Sequence, residues 1–237
     1  MPRSSTPRVP KLKNAQPFTR KVLAWYARAG RDLPWRRTRD PYRVLVSEVM
    51  LQQTQVSRVR EHYPRFLERF PDLGSLARAK PRAVREAWDG LGYYARARNL
   101  HQLAKSVAGR GVTDKGVAGD SVAELPEDPE ELIKLPGIGR YTAGAVASFA
   151  YEKPVPAVDT NVARVLGRVF LGNNRQRLSG NRQRLIWSLA TALVPKTGKR
   201  AWQFNQAIME LGALICVARR PRCPECPVRS VCRTGKS

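Results

Sequence analysis

The stretch LPGIGRYTAGAVASFA, residues 135–150, is the most informative local pattern in this chain. Pro136 ends the preceding helix, and the glycines on either side of Ile138 allow a tight turn and close approach of another molecule. The residues from Thr142 onward predict a second helix. A helix, a glycine-rich turn and a helix together present backbone N–H groups where an anion binds well. The stretch therefore predicts an anion-binding helical hairpin, with an ordinary helical hairpin as the alternative.

The charge of the chain favours a polyanionic partner. Its 237 residues include 43 Lys and Arg against 19 Asp and Glu, a formal net charge of +24 at pH 7. No acidic residue precedes Asp32, and none lies between Asp159 and Glu210. Solubility alone does not require one sign to dominate so long a run. The pattern indicates nucleic acid first and an acidic membrane surface second, so a DNA phosphate is the expected anion at the hairpin.

The sequence contains no recognisable membrane or export signal. No segment is long and apolar enough to span a bilayer. Residues 1–17 are basic and carry four prolines, which predicts a disordered basic arm rather than a signal peptide. We therefore expect a cytoplasmic, nucleoid-associated monomer that does not contact membranes.

Helical patterns dominate the chain, and no convincing period-2 strand series is present. The predicted helices cover 18–29, 41–59, short pieces up to residue 88, 94–108, and the segments that begin at Pro129, at Ala143, after Asp159, at Arg182 and at Trp202. Residues 109–128 are rich in Gly and Asp and predict a loop. The fold class is therefore all-α.

Two carboxylates stand out by their surroundings. Glu48 lies between the apolar runs VLVS and VML, where a carboxyl group tends to have a raised pKa and to hold a proton. Asp159 precedes the predicted helix DTNVARVLGRVF, whose N-terminus and arginines would keep it ionised. A helix-surface glutamate and an N-cap aspartate are the ordinary alternatives. One proton-holding acid and one ionised carboxylate form the pair that glycosidic bond cleavage uses.

All four cysteines lie near the C-terminus with the spacing C-x6-C-x2-C-x5-C. They are Cys216, Cys223, Cys226 and Cys232. Four thiols so close together predict one four-thiolate site. Disulfides are typical of secreted chains, whereas structural zinc and an iron–sulfur cluster both accept four thiolates. The spacing alone leaves zinc and the cluster open.

Several polar and aromatic residues are candidates for DNA contacts. Gln52 and Gln53, on the second predicted helix, could hydrogen-bond base edges or fill the gap left by a displaced base. Tyr93 would place an aromatic face beside the charge of Arg96. Tyr141 follows the glycine turn directly and could face the same pocket. Solvated amides and core aromatic residues are the ordinary alternatives.

Taken together, these strings resemble the helix-hairpin-helix (HhH-GPD) DNA glycosylase superfamily, and in particular the MutY-type adenine DNA glycosylases. In family order the strings are LPWRRTRDPYRVLVSEVMLQQTQV (33–56), WDGLGYYARARNLH (88–101), LPGIGRYTAGAVAS (135–148), VDTNVARVLGRV (158–169), FNQAIMELGALIC (204–216) and the cysteine quartet. The more distantly related endonuclease III has the same cysteine spacing, so the resemblance favours a [4Fe–4S] cluster, with structural zinc as the alternative.

The resemblance implies an all-α, two-lobed helix-hairpin-helix DNA glycosylase fold. A six-helix barrel would span 40–154 and include the hairpin at about 130–150. The iron–sulfur cluster lobe would combine 18–39 with 155–237. Glu48 and Asp159 would face each other across the cleft between the lobes, and the target base would be flipped from double-stranded DNA into that cleft.

The resemblance also implies roles for individual residues. Glu48 would protonate the purine and activate water, and Asp159, supported by Asn161, would stabilise the oxocarbenium-like sugar. Tyr141 occupies the position that is lysine in bifunctional relatives, so no Schiff-base lyase step is expected. Gln53 and Tyr93 are candidates for wedging into the base stack. The full set of expected DNA contacts is Gln52, Gln53, Thr54, Tyr93, Arg96, Gly137, Gly139 and Arg140.

The expected function is monofunctional excision of adenine mispaired with guanine or oxoguanine. Three features depart from the adenine enzymes: the chain ends shortly after Cys232, without their C-terminal recognition domain, Thr160 stands where they usually have glycine, and the 109–128 loop is long. The alternative is a G·T/G·U mismatch thymine or uracil DNA glycosylase of the same fold. A non-catalytic DNA-binding module is the third possibility.

Overall fold

The computed structural model describes residue 12 and residues 14–110, 124–172 and 180–235. Every regular element in these residues is helical and none is a strand, which confirms the predicted all-α fold. In the same residues, no helix combines the length and the hydropathy that crossing a membrane requires.

The chain forms two compact units. The terminal unit comprises Met1–Arg31 and Glu152–Ser237, and the central unit comprises Asp32–Tyr151. The lobe boundaries expected from the sequence were at about residues 40 and 154, and the six-helix barrel and the cluster lobe stay predictions.

Eleven α-helices lie in the described residues. They are α1 (Ala15–Ala29), α2 (Pro41–Leu51), α3 (Val56–Arg69), α4 (Leu73–Arg78), α5 (Pro81–Ala87), α6 (Ala95–Arg110), α7 (Pro129–Leu132), α8 (Arg140–Phe149), α9 (Thr160–Leu166), α10 (Gly180–Leu193) and α11 (Gly198–Leu214). A π-helical segment, Gly167–Leu171, continues α9. Three short 3-10 turns are formed by Pro34–Arg36, Cys223–Glu225 and Arg229–Val231. Helices α2 to α8 belong to the central unit.

The start of α2 follows the capping pattern in the sequence. The side chain of Asp40 accepts a hydrogen bond from the backbone N–H of Arg43 at 3.0 Å, and Pro41 occupies the first helical position. This satisfies one of the N–H groups that a helix leaves without an internal partner. Here the sequence prediction is correct to the residue.

The end of α2 differs from the prediction. We expected one helix over 41–59, but α2 ends at Leu51 and α3 begins at Val56. Gln53 has φ +57°, a left-handed conformation that an α-helix cannot include. In a continuous helix the N–H of Gln53 would bond the carbonyl of Val49, which instead accepts a hydrogen bond from the side chain of Arg96 at 3.1 Å.

Other element boundaries shift by a few residues. Helix α1 begins at Ala15 and includes Pro17, because proline is tolerated in a first turn where its missing N–H has no helical partner. Helix α8 begins at Arg140 rather than near Thr142. The predicted arm lies mostly outside the described residues. The predicted 109–128 loop does so as well, although α6 extends to Arg110.

Each unit has its own hydrophobic core. In the terminal unit Phe18 of α1 is fully buried, and its ring packs edge-to-face against Phe170 and Phe204 with centroids 5.2 Å and 6.3 Å apart. In the central unit the rings of Phe66 and Trp88 pack edge-to-face at 5.7 Å, and both side chains are fully buried. These cores fix the helices that carry the polar residues considered below.

An ion pair ties the end of the first chain segment to α11 in the terminal unit. Glu210 is 0% exposed. Its Oε1 accepts from the backbone N–H of Arg31 at 3.0 Å and from Nε at 2.6 Å, and its Oε2 accepts from Nη2 at 2.9 Å. Such a bidentate pair stabilises a buried carboxylate that would otherwise be strongly disfavoured.

Replacing Arg31 alone should destabilise the terminal unit. Arg31→Met leaves the Glu210 charge buried, and we expect a loss of about 3 kcal/mol in the free energy of unfolding. The double variant Arg31→Met, Glu210→Leu removes both charges and should recover most of that loss. Urea unfolding monitored by circular dichroism measures both, with the exposed Arg28→Met as the control. An Arg31→Met effect no larger than that of the control would contradict the role of the pair.

Candidate functional site

Glu48 and Tyr141 meet inside the central unit. Glu48 lies in the last turns of α2 and is 5% exposed, and Tyr141 lies in the first turn of α8. The Tyr141 hydroxyl donates a hydrogen bond to Oε2 of Glu48 at 2.5 Å. The structure therefore brings together two residues predicted to be catalytic that are 93 positions apart in sequence. A buried carboxyl group held in one orientation is suited to hold a proton and deliver it.

The hairpin turn between α7 and α8 requires glycine at residue 137. Gly137 has φ +78°, and a Cβ there would lie 2.7 Å from the Cβ of Asn99. Ile138 is buried and anchors the turn, whereas Gly139 is exposed and a Cβ on it would meet open space. Gly139 is the N-cap of α8 and has no side chain to cap it, and Arg140 is exposed beside it. An anion can approach such a helix N-terminus.

Asp159 is the N-cap of α9 in the terminal unit. Its Oδ1 accepts from the backbone N–H of Val162 at 2.7 Å, and its Oδ2 accepts from Nδ2 of Asn161 at 2.8 Å. Burial raises the pKa of Asp159, and these donors together with the charge of Arg164 oppose the rise. The sequence emphasised only the helix N-terminus and the arginines, which lower the pKa, so the net direction is a correction caused by burial.

Arg164 links Asn161 to the cysteine region. Its Nη2 donates to Oδ1 of Asn161 at 2.6 Å and to the carbonyl of Gly212 at 2.8 Å, and its Nε donates to the carbonyl of Cys216 at 2.7 Å. A Cβ on Gly212 would lie 2.6 Å from the Cβ of Asn161, so the two helices need glycine there. The sequence counted Arg164 only among the nearby charges, and its hydrogen bond to Asn161 was not predicted, although a spacing of three residues on one helix was a usable signal.

The four cysteines line one cavity of about 30 Å³, together with apolar residues such as Val165 and Leu211. All four are free thiols. Arg168 donates to Sγ of Cys216 at 3.3 Å, and the backbone N–H of Gly235 donates to Sγ of Cys232 at 3.3 Å. Burial raises the pKa of the Cys226 thiol to about 11, and the three neighbouring thiols raise it as well. The four thiols therefore lie around one cavity, and the predicted four-thiolate metal site stays a prediction.

The arrangement of these thiols bears on the kind of group they could hold. In the part of the chain that the structure describes, no three His, Cys, Asp or Glu side chains are grouped so that they could hold a metal ion. Four thiols facing one cavity suit structural zinc and an iron–sulfur cluster alike.

Gln53 and Tyr93 both project from the central unit in unusual backbone conformations. Gln53 has φ +57° and is exposed, and Tyr93 has φ +46° and is 62% exposed. Gln52 and Thr54, on either side of Gln53, are partly buried. Non-glycine residues rarely adopt positive φ, and such residues cluster at functional sites. The two candidate wedge residues are therefore displayed to solvent.

Arg96 is not placed to bind a phosphate, which corrects the sequence expectation. It is only 9% exposed, and its terminal nitrogens donate to backbone carbonyls and to the hydroxyl of Thr54. Burial lowers the pKa of Arg96. The sequence pattern could not reveal this, because an arginine beside exposed tyrosines suggests a solvated charge. Its role is within the protein.

Comparisons with known proteins give a consistent result. A family model described as "HhH-GPD superfamily base excision DNA repair protein" matches residues 46–191. The chain is 43% identical over 224 residues to an adenine DNA glycosylase from Rattus norvegicus, covering 91% of this chain and 41% of the rat protein. The chain therefore spans less than half the length of that curated relative.

Two solved structures extend the similarity to the fold. A thermostable thymine-DNA glycosylase has a TM-score of 0.81 and 30% identity, covering 94% of this chain and 97% of that one. Endonuclease III in a trapped covalent intermediate with DNA has a TM-score of 0.74 and 26% identity, with the same coverage. Both neighbours match across most of this chain.

Removing the Asn161 amide should raise the pKa of Asp159 further. The amide stabilises the carboxylate, so Asn161→Ala favours the protonated form, and the carboxyl should titrate at higher pH than in the wild type. Carboxyl-carbon NMR measures the shift, with exposed Thr160→Ala as the control. Because the folded-state pKa lies above the unfolded value, Asp159 favours folding at low pH and loses that contribution as pH rises through the folded pKa. An unchanged or lower pKa in Asn161→Ala would contradict the role of the amide.

Proposed function

The chain belongs to the HhH-GPD superfamily of base excision DNA repair proteins, and on this basis we propose that it is a monofunctional DNA glycosylase. Its substrate is adenine mispaired with guanine or oxoguanine in double-stranded DNA. The observation that carries the proposal is the buried Glu48 carboxyl group hydrogen-bonded to Tyr141 of the hairpin helix. The identity to an adenine DNA glycosylase over 91% of this chain supports the choice of base.

Glu48 is the proposed general acid and base. Its proton goes to a ring nitrogen of the adenine as the glycosidic C–N bond breaks and the bonding electron pair leaves with the base. The carboxylate then accepts a proton from the water that adds to the sugar carbon, which returns Glu48 to its starting form. Tyr141 fixes the orientation of the carboxyl through its 2.5 Å hydrogen bond. A phenol has no amine, so no covalent Schiff base forms with the sugar.

Asp159 is the proposed stabiliser of the positive charge that develops on the sugar. Its burial makes the carboxylate costly on its own, and a nearby cation would favour the ionised form. The hydrogen bonds from Asn161 and Val162 fix both oxygens in place before the reaction, so little reorganisation is needed.

DNA is the proposed partner, recognised first through charge. The net charge of +24 attracts the phosphate backbone, and the exposed N-terminus of α8 at Gly139 offers backbone donors to one phosphate. Gln53 and Tyr93 are proposed to enter the base stack when the target base is flipped out. Gln52 and Arg140 are proposed to contact the duplex beside them.

A thymine or uracil mismatch glycosylase is the second candidate. The similarity to the thymine-DNA glycosylase spans 97% of that chain, and Thr160 departs from the adenine enzymes. The higher identity to the adenine enzyme, 43% against 30%, keeps adenine as the first choice.

Four matched duplexes distinguish the two substrates. The protein is incubated with duplexes that contain an A·oxoG, A·G, T·G or U·G pair, with the strand that carries the target base labelled at one end. Abasic sites are then cleaved with alkali. We expect cleavage of the adenine strands and none without alkali, because Tyr141 cannot act as an amine nucleophile. Cleavage confined to the T·G and U·G strands would replace adenine by the second candidate, and no cleavage of any strand would overturn the glycosylase proposal.

Two isosteric variants serve as controls for that assay. Glu48→Gln and Asp159→Asn keep the side-chain shapes but remove the titrating carboxyl groups, so both should abolish base release. Asp159→Asn should leave affinity for the duplex within about tenfold of the wild type, ~1.4 kcal/mol. Full base release by either variant would refute the catalytic role proposed for that residue.

A [4Fe–4S] cluster is the proposed occupant of the four-cysteine cavity, held by Cys216, Cys223, Cys226 and Cys232. The donor set is entirely thiol, and all four thiols line the same cavity. When bound, the group would cross-link the C-terminal segment and fix its loops. Between the first two ligands lie Arg219, Arg220 and Arg222, so the fixed loop would present a basic surface.

Metal analysis of freshly purified protein tests this assignment. We expect a yellow-brown protein with broad absorption in the blue and with iron and acid-labile sulfide in equal amounts. Cys226→Ser should lose most of the colour, because it removes one of four ligands. A colourless protein with stoichiometric zinc would overturn the cluster in favour of structural zinc.

A further inference from the structure

We propose that Arg96 is a positioning residue that fixes Gln53 and Tyr93 as one rigid, two-pronged unit for insertion into DNA. The inference rests on the proposed function and deepens it. One buried guanidinium would hold in place the two exposed side chains that are proposed to act in base flipping.

Arg96 first closes the C-terminal end of α2. Its Nη1 donates to the carbonyl of Val49 at 3.1 Å, to the carbonyl of Met50 at 2.9 Å and, at close range, to the carbonyl of Gln52. The last carbonyls of a helix have no internal partner and carry the negative end of its dipole. No basic residue lies in the last turn of α2, so Arg96 supplies that charge from another helix.

The other terminal nitrogen of the same guanidinium holds a second segment. Nη2 donates to the carbonyls of Leu91 and Gly92 at 2.9 Å and 3.1 Å, and to Oγ1 of Thr54 at 3.0 Å. Nε1 of Trp88 also donates to the carbonyl of Gly92 at 3.1 Å. Arg96 therefore joins two segments that are about forty residues apart in sequence.

The two carbonyls that matter most are those of Gln52 and Gly92. Each belongs to the peptide unit immediately before a residue with positive φ, Gln53 in one segment and Tyr93 in the other. The orientation of that peptide plane sets φ of the residue that follows it. Positive φ in a non-glycine residue persists only where its surroundings fix it. One guanidinium therefore fixes both strained residues.

Only arginine matches this set of acceptors. The planar guanidinium donates in two directions at once, whereas a lysine ammonium is a single point of charge on a flexible stem. The rings of Trp88 and Tyr93 lie 5.5 Å and 5.4 Å from the guanidinium carbon and limit its movement. With little exposure and all these acceptors, Arg96 acts through the wedge segments rather than on DNA itself.

The test compares Arg96→Gln, Arg96→Lys and Arg98→Gln. Arg98 lies on the same helix, carries the same charge and is exposed, so its variant controls for charge alone. At saturating protein, 2-aminopurine placed beside the target base reports unstacking by its fluorescence. Single-turnover base release is measured on the mismatched duplex and on a strand in which the target base is already extruded in a loop.

We expect Arg96→Gln to lose most of the fluorescence increase and to slow release from the duplex by about tenfold or more, as small misplacements commonly do. Release from the looped strand should change by less than about threefold, within the effect of an ordinary surface substitution. Arg96→Lys should show the same loss of fluorescence increase and the same slower release from the duplex. If Arg96→Gln does not fold, Arg96→Lys takes its place in the test. Arg98→Gln should retain the fluorescence increase.

Three outcomes separate the possibilities. Wild-type fluorescence in both folded Arg96 variants would overturn the positioning role while leaving the glycosylase proposal intact. Equal losses on the duplex and the looped strand would also overturn it, because they indicate a general structural role. Absence of base release by the wild type on every substrate would instead overturn the proposed function.

Discussion

The contact between the Tyr141 hydroxyl and the Glu48 carboxyl is the interaction on which the proposed chemistry of the central unit depends. A buried polar group without a partner is disfavoured, and a hydrogen bond between neutral groups contributes about 0.5–1.5 kcal/mol. The contact also joins α8 of the hairpin to α2, so the same residue that follows the glycine turn orients the proposed acid. The hairpin turn and Glu48 are therefore linked through Tyr141.

In the terminal unit, the carboxylate of Asp159 is likewise held in place by hydrogen-bond donors. Asp159 is half-buried, and it accepts hydrogen bonds from Asn161 and from the first turn of α9. Arg164 fixes Asn161 and at the same time contacts the backbone of Cys216. A change in the cysteine loop would therefore reach the carboxylate through two side chains. The proposed cluster site and the proposed catalytic residue are thus joined by a chain of hydrogen bonds.

In the central unit, the buried side chain of Arg96 contacts the backbone next to both strained residues, Gln53 and Tyr93. The carbonyls at the end of α2 and in the 91–92 turn face Arg96, and the two residues that follow them carry positive φ. A buried charge is tolerated because its terminal nitrogens have several acceptors, and each of these carbonyls in turn has a donor in the guanidinium. The exposed side chains beside this buried network are those of Gln53 and Tyr93.

The helical class, the hairpin and the cysteine quartet followed from the amino-acid order alone, because helical periodicity, Gly137 and ligand spacing are local patterns. Glu48 and Asp159 were proposed as catalytic residues from their neighbours along the chain, and that role stays a prediction. The break after Leu51, the internal role of Arg96 and the rise in the pKa of Asp159 could not be found in this way. Those depend on which distant groups surround a residue, and burial and long-range hydrogen bonds exist only once the helices have packed.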